Sequence, residues 1–365
     1  MFKQVRNRHQ QLRLLLTLLL IVTTPVMVWA QEDNNNGTVV YLPMIITDQA
    51  GVTPPPPPDV HPATLCGNDD RIAFTDRRVG RIGYRSGGAE VAACTVWLGA
   101  NGALLTAGHC QPHLTMANAF VEFNIPVSDN NNGAINRANA SDRYTVTQNS
   151  IIPSNISGND WAIFGVQPNL LTRLTPFQAQ NEFFRFTTRT PNTSATIRIT
   201  GHGTDTGSAN QTTQTHTGTY TTSVNIGRHR YQVDTMVENS GSPIIWDNNG
   251  FTIGIHTNGG CTATGGANSG TAFANTQLAN ALQNFHGTGT IHVDQVQFPG
   301  ETENGTVFQP FNTVEEGLLT VNTVVQRVSI VAGTYNESFD SNKAVTLIAP
   351  AGAVTLRGEI TIGEP

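Results

Sequence analysis

Lysine is nearly missing from this chain, occurring only at Lys3 and Lys343. Charged residues of all kinds make up 13% of its 365 residues, with a formal net charge of −6. That is about half the ~25% usual for a soluble domain. So few cations leave no basic face to grip a phosphate backbone, which excludes nucleic acid as a partner. Cysteine is scarce too. There are four, with no Cys-x-x-Cys pair of the kind that holds zinc, and neither a metal nor an organic cofactor is expected. Long apolar runs are confined to the amino terminus, where LLLTLLLIV follows the basic MFKQVRNRHQQLR and precedes Val28-Trp29-Ala30. A basic start, a short apolar centre and small residues at the cleavage positions read as an export signal over residues 1–30. The mature protein is then expected outside the cell, free of the membrane, with its cysteines in disulfides.

What the chain does have is glycine, asparagine and threonine in quantity, which favours short strands joined by turns. Residues 31–65 contain NNNG and the run from Pro54 through Pro58, a stiff extended spacer or pro-segment. From Cys66 to about 287, short apolar runs such as CTVWLG, ALLTAG, WAIFGV, ATIRITG, SPIIW and FTIGIH alternate with turn residues. That rhythm predicts an all-β barrel or sandwich. After residue 287 the pattern changes. Thr313 and Glu316 form a capping box opening a short helix, TVEEGLLTV, followed by VSIVAG, AVTLIAPAG, AVTLRG and EITIG. Short strands at close intervals suggest stacked rungs. Residues 288–365 therefore resemble the start of a pectate-lyase-like parallel β-helix, and a cell-surface or polysaccharide contact is the role expected of that segment.

Two motifs carry chemistry. ALLTAGHC places His109 at the end of an apolar strand, with Cys94 fifteen residues before it and Cys110 directly after. A hairpin returning between the cysteines would let a Cys94–Cys110 disulfide clamp the loop that carries the imidazole. VENSGSPIIW holds Ser240, and a serine hydroxyl becomes a nucleophile only with a base and an oxyanion site beside it.

CTVWL…LLTAGHC together with ENSGSP resembles the trypsin/chymotrypsin-like serine peptidases, and most nearly their bacterial glutamyl-endopeptidase branch. The resemblance spans roughly residues 70–285 and implies two antiparallel six-stranded barrels, with ITGHGTD opening the second. It implies a secreted endopeptidase acting on proteins or peptides. His109 would be the base and Ser240 the nucleophile. Asp160 in SGNDWAIFGV would orient the imidazole, ahead of Asp129, Asp142 and Asp234, which lack its strand context. The oxyanion donors would be the backbone amides of Ser240 and Glu238. Glu238 departs from the family, which has glycine there; a Cβ strains a positive-φ position, and the carboxylate would oppose an oxyanion. Asn239 has no charge with which to pair a freshly cut amino terminus. Thr235 and His256 stand where glutamyl-specific members hold the substrate carboxylate. Asp234 stands where trypsin-type members attract Arg or Lys, so cleavage after a basic residue is the competing specificity. NSGT at 268–271 resembles the far wall of the pocket, and Ser269 is assigned no chemistry. Cys66 and Cys261, left over, are expected to pair. His61, His113, His202, His216, His229, His286 and His292 are expected at the surface. The alternative to an enzyme is a non-catalytic binding or adhesion protein on the same barrels.

Overall fold

The computed structural model describes residues 26–33, 39–46 and 65–362, except 157, 224–226 and 323–326. Most of the expected export signal and the whole proline run lie outside the described residues. Two units are distinguished, Met1–Pro56 and Pro57–Pro365. In the first, β1 (Val26–Asp33) pairs antiparallel with β2 (Val39–Ile46).

In the second unit, β3 (Ile72–Ala73) is followed by β4 (Val79–Ser86) and β5 (Ala89–Leu98). Gly87 and Gly88, both at positive φ, make the two-residue turn between them. Next come β6 (Leu104–Thr106), β7 (Phe120–Glu122), β8 (Arg143–Thr145), β9 (Ile152–Ile156) and β10 (Asn159–Phe164). They form one antiparallel sheet in the order β8-β7-β4-β5-β6-β10-β9. This sheet curls but is not closed by a ladder, since only the Val146/Val166 bridge joins its ends. It is a half-barrel rather than the full barrel expected.

The second sheet contains β11 (Thr196–Gly201), β12 (Gln214–Ser223), β13 (Arg228–Gln232), β14 (Pro243–Trp246), β15 (Thr252–Asn258) and β18 (Asn268–Ala272). Between the last two lies a small hairpin, β16 (Cys261–Thr262) and β17 (Gly265–Gly266). The β11–β12 pairing closes this sheet into a six-stranded barrel, with β3 on its edge. The chain is thus all-β and chymotrypsin-like, as expected.

The central strands are apolar on both faces because each face meets a different core. Val96, Leu98, Leu104, Ala162 and Phe164 fill the interior of the half-barrel. Their alternate neighbours Trp97, Leu105, Trp161 and Ile163 pack with Ile245, Ile255 and Phe273 of the second barrel. This shared layer packs the two barrels against each other.

The chain continues through α3 (Thr276–Gln283), counted after α1 (Gln111–Leu114) and α2 (Pro176–Gln180), and then β19 (Ile291–Val293). Thr313 accepts from the Glu316 amide and opens α4 (Val314–Leu319), and Glu337 accepts from the amides of Val314 and Glu315. Three strands follow, β20 (Arg327–Ile330), β21 (Gly333–Asn336) and β22 (Phe339–Ser341). They are matched in parallel by β23 (Thr346–Ile348), β24 (Val354–Arg357) and β25 (Ile360–Ile362). This segment is packed onto the barrels: Val307 and Val331 belong to the inter-barrel core, and Arg185 forms an ion pair with Asp294 at 2.7 Å. Among the described residues no helix is long and apolar enough to cross a membrane.

The histidines depart from expectation. His202, His229 and His292 are buried instead of lying at the surface. Burial keeps such imidazoles neutral, driving His229 and His292 down to about 4. A neutral ring can hydrogen-bond inside a core, as His229 does with Tyr220 Oη and the Ile253 carbonyl.

Candidate active site

His109 sits in a single tight turn, Gly108–Cys110, between β6 and α1. The turn presses against β9 and β10 so closely that a Cβ on Gly108 would lie 1.8 Å from the Ser154 carbonyl oxygen. Only glycine fits. Cys94 and Cys110 are bridged, which ties the turn back to β5. Asp160, at the start of β10, accepts from the His109 amide through Oδ1 at 2.8 Å and lies 2.7 Å from its Nδ1 through Oδ2. An ionised carboxylate can only accept, so Nδ1 carries the proton and Nε2 keeps its lone pair. Nε2 has no hydrogen-bond partner among the described residues.

Thr271 of β18 holds Asp160 from the opposite barrel. Its hydroxyl donates to the Asp160 carbonyl at 2.8 Å and accepts from the Asp160 amide at 3.1 Å. Sequence reasoning passed over Thr271 as part of the NSGT wall.

Ser240 is buried, in the turn that leads into β14. Its carbonyl accepts from Thr95 N at 2.8 Å and lies 4.0 Å from Cys110 Sγ, next to the histidine turn. The turn is laced to both barrels. Gly241 N donates to the His256 carbonyl, Trp97 Nε1 donates to the Gly241 carbonyl, and Ser242 Oγ donates to the Asn239 carbonyl. The Asn239 side chain accepts from Met236 N at 2.9 Å, so the loop is ordered by its own amide. The structure thus brings His109, Asp160 and Ser240 to one place, although Ser240 Oγ does not bond His109 Nε2 in this state. Such contacts are commonly loose without substrate.

Glu238 has φ +74°, the left-handed conformation that glycine would take freely. Its carbonyl accepts from Thr95 Oγ1 at 3.0 Å, and its own amide and that of Ser240 donate to nothing among the described residues. Its carboxylate turns away to Cys94, where Oε2 accepts from the amide at 2.5 Å. Cys94 is the extra residue of a β-bulge in β5, itself at φ +53°, so its amide is otherwise without a ladder partner. Burial pushes the Glu238 carboxyl up, opposed first by the Cys94 amide.

The neighbouring residues of the second barrel are buried. Thr235 Oγ1 accepts from Asn268 Nδ2 at 3.0 Å, and Asn268 also bonds the Val233 carbonyl and the Cys261 amide. His256 Nδ1 lies 2.6 Å from Tyr231 Oη, while its Nε2 is unpartnered among the described residues. Burial and, secondarily, His109 drive this imidazole down to about 3. Asp234 accepts from the amides of Cys66 and Asp70 at 2.7 and 2.9 Å, and the Cys66–Cys261 bridge anchors the same arm. Ser269 accepts from Arg228.

Comparison with solved structures finds a thermostable serine protease, AL20, from an extremophilic microorganism. It has 14% identity and a TM-score of 0.42, covering 55% of this chain and 94% of that one. A Glu endopeptidase shares 22% identity at a TM-score of 0.42, covering 59% and 95%. The protease Anisep from Arthrobacter nicotinovorans shares 15% at 0.38, covering 55% and 92%. No curated protein sequence matches the chain. The sequence model of the Trypsin family matches residues 79–280, more than half of the chain and the stretch that holds all three converging side chains. This chain belongs to the trypsin family and is a serine peptidase.

Proposed function

We propose that this peptidase is an exported endopeptidase that forms an acyl-enzyme on Ser240 and cleaves after Glu, less readily after Asp. The observation that carries the catalytic part is the double grip of Asp160 on the His109 amide and Nδ1, which leaves Nε2 free. Nε2 takes the hydroxyl proton as Ser240 Oγ attacks the peptide carbonyl, and Asp160 steadies the imidazolium. The amides of Glu238 and Ser240, without other acceptors, receive the oxyanion. His109 returns the proton to the leaving amine, and water repeats the sequence to release the acid.

The preference for Glu rests on two donors. With Tyr231 Oη as the donor to His256 Nδ1, the ring proton sits on Nε2, and Asn268 donating to Thr235 Oγ1 leaves the hydroxyl proton free to point elsewhere. Two such donors suit a carboxylate. Asp234 supports the same choice, because both its oxygens already hold the amino-terminal arm instead of awaiting a basic side chain. Export is supported by the basic-apolar start of the chain and by two disulfides. The parallel pairings of β20–β22 with β23–β25 support reading residues 288–365 as the first rungs of a solenoid offering a cell-surface or polysaccharide contact, beside a peptidase domain over 66–287. Profiling on a mixed peptide library is the test. Cuts concentrated after Glu are expected, and cuts after Arg or Lys would overturn the specificity assignment.

A further inference from the structure

Glu238 presents a problem of charge. Its carboxyl is only partly exposed, yet it makes no ion pair with Arg, Lys or His among the described residues. Buried carboxylates are ordinarily paired, because an uncompensated charge is costly to desolvate. Oε2 is held by the Cys94 amide, while Oε1 takes no hydrogen bond among the described residues. The phenol of Tyr84, on β4, is raised first by its own burial and then by the Glu238 charge. The Tyr84 ring is stacked on His113 at 4.9 Å between centroids.

The location decides what could supply the missing cation. Thr235, His256 and Asn268 belong to the second barrel, on the acyl side of the bond being cut. The Glu238 side chain points the other way, onto the bulge of β5 and the Cys94–Cys110 bridge that carries His109. His109 hands its proton to the leaving amine, so the residues just after the scissile bond depart along this surface. We propose that Glu238, over the Cys94–Cys110 bridge, forms a leaving-group subsite that selects a basic side chain at the first or second residue after the scissile bond. One oxygen is fixed by a backbone amide, which orients the other as an acceptor for a guanidinium or ammonium group. This subsite rests on the acyl-enzyme reading above but not on which residue precedes the cut.

The test uses quenched peptides with one preferred residue before the bond and Arg, citrulline, Ala or Glu at each of the two positions after it. Citrulline keeps the shape of Arg and lacks its charge. At low salt the wild-type kcat/KM for Arg should exceed that for citrulline by about tenfold, the scale of one partly desolvated ion pair. Glu should fall below citrulline, and the Arg advantage should shrink as salt is raised. In Glu238→Gln the Arg-to-citrulline ratio should approach one. Because each variant is judged by its own ratio, a lower overall rate does not obscure the result. A wild-type ratio within twofold of one at low salt, or a tenfold ratio that survives Glu238→Gln, would overturn the assignment.

Discussion

Replacing Glu238 by alanine and by glycine separates two opposite roles for its carboxylate. If the charge opposes the oxyanion, either change speeds acylation. If the carboxylate instead holds the loop through Cys94, both slow it, by different amounts. The geometry supports the second. A non-glycine residue at φ +74° carries about 1–2 kcal/mol of backbone strain. A charge-assisted bond to a buried amide contributes about 1.5–3 kcal/mol. Alanine keeps the strain and loses the bond, so acylation should slow roughly 10–150-fold as the Glu238 amide leaves its position. Glycine recovers the strain, leaving a net loss of about 0–2 kcal/mol and no more than a roughly 30-fold deficit. The expected order is wild type, then glycine, then alanine, with the loss in kcat and little change in KM. Single-turnover acylation, normalised by active-site titration, measures it. An alanine variant faster than wild type would refute the supporting role.

Thr271→Val keeps the shape but leaves both the carbonyl and the amide of Asp160 without their hydroxyl partner. A loss of about 2–4 kcal/mol, shared between thermal stability and kcat, should appear in calorimetry and steady-state kinetics. Asp160→Asn should lower kcat by about 10⁴ with the fold intact by circular dichroism, since it imposes the wrong imidazole tautomer. His229, His256 and His292 are held neutral in the folded state at about 4, 3 and 4, below the 6.5 of a free imidazole. The unfolded chain therefore binds more protons below that value, and stability is fully present above it and lost as pH falls. Between pH 7 and 5, each should remove roughly 2 kcal/mol from the urea-unfolding free energy, and His229→Phe should flatten the slope. Deleting residues 288–365 strips Val307 and Val331 from the inter-barrel core and breaks the Arg185–Asp294 pair. The shortened chain should melt more than about 10 °C lower or fail to fold, as expected from losing several kcal/mol of buried contacts.

Much of the candidate site could be read from the chain because its chemistry is carried by short local signals. An apolar strand ending in TAGHC, a turn of NSGSP and an Asp ahead of WAIF each announce a side chain at a strand end. The Cys94–Cys110 bridge followed from the same landmarks, and Cys66–Cys261 from being the two cysteines left over. What sequence could not show was contact between distant residues. Thr271 meets Asp160 across 111 positions, and Glu238 meets Cys94 across 144. No periodicity encodes such pairs. For Glu238 only a charge and a backbone preference were visible, not the bulged Cys94 amide that its carboxylate meets. Nor did sequence show that Asp234 accepts from the amides of Cys66 and Asp70, 168 and 164 positions away. The buried histidines were missed for a related reason: an imidazole can be polar in water and neutral in a core, and only packing decides which.

The most direct measurement is reaction of the mature protein with a fluorophosphonate probe, followed by peptide mapping of the adduct. A single adduct on Ser240, abolished in His109→Ala and slowed by orders of magnitude in Asp160→Asn, is the predicted result. Peptide turnover that persists in Ser240→Ala, or an adduct on Ser269 instead, would contradict it.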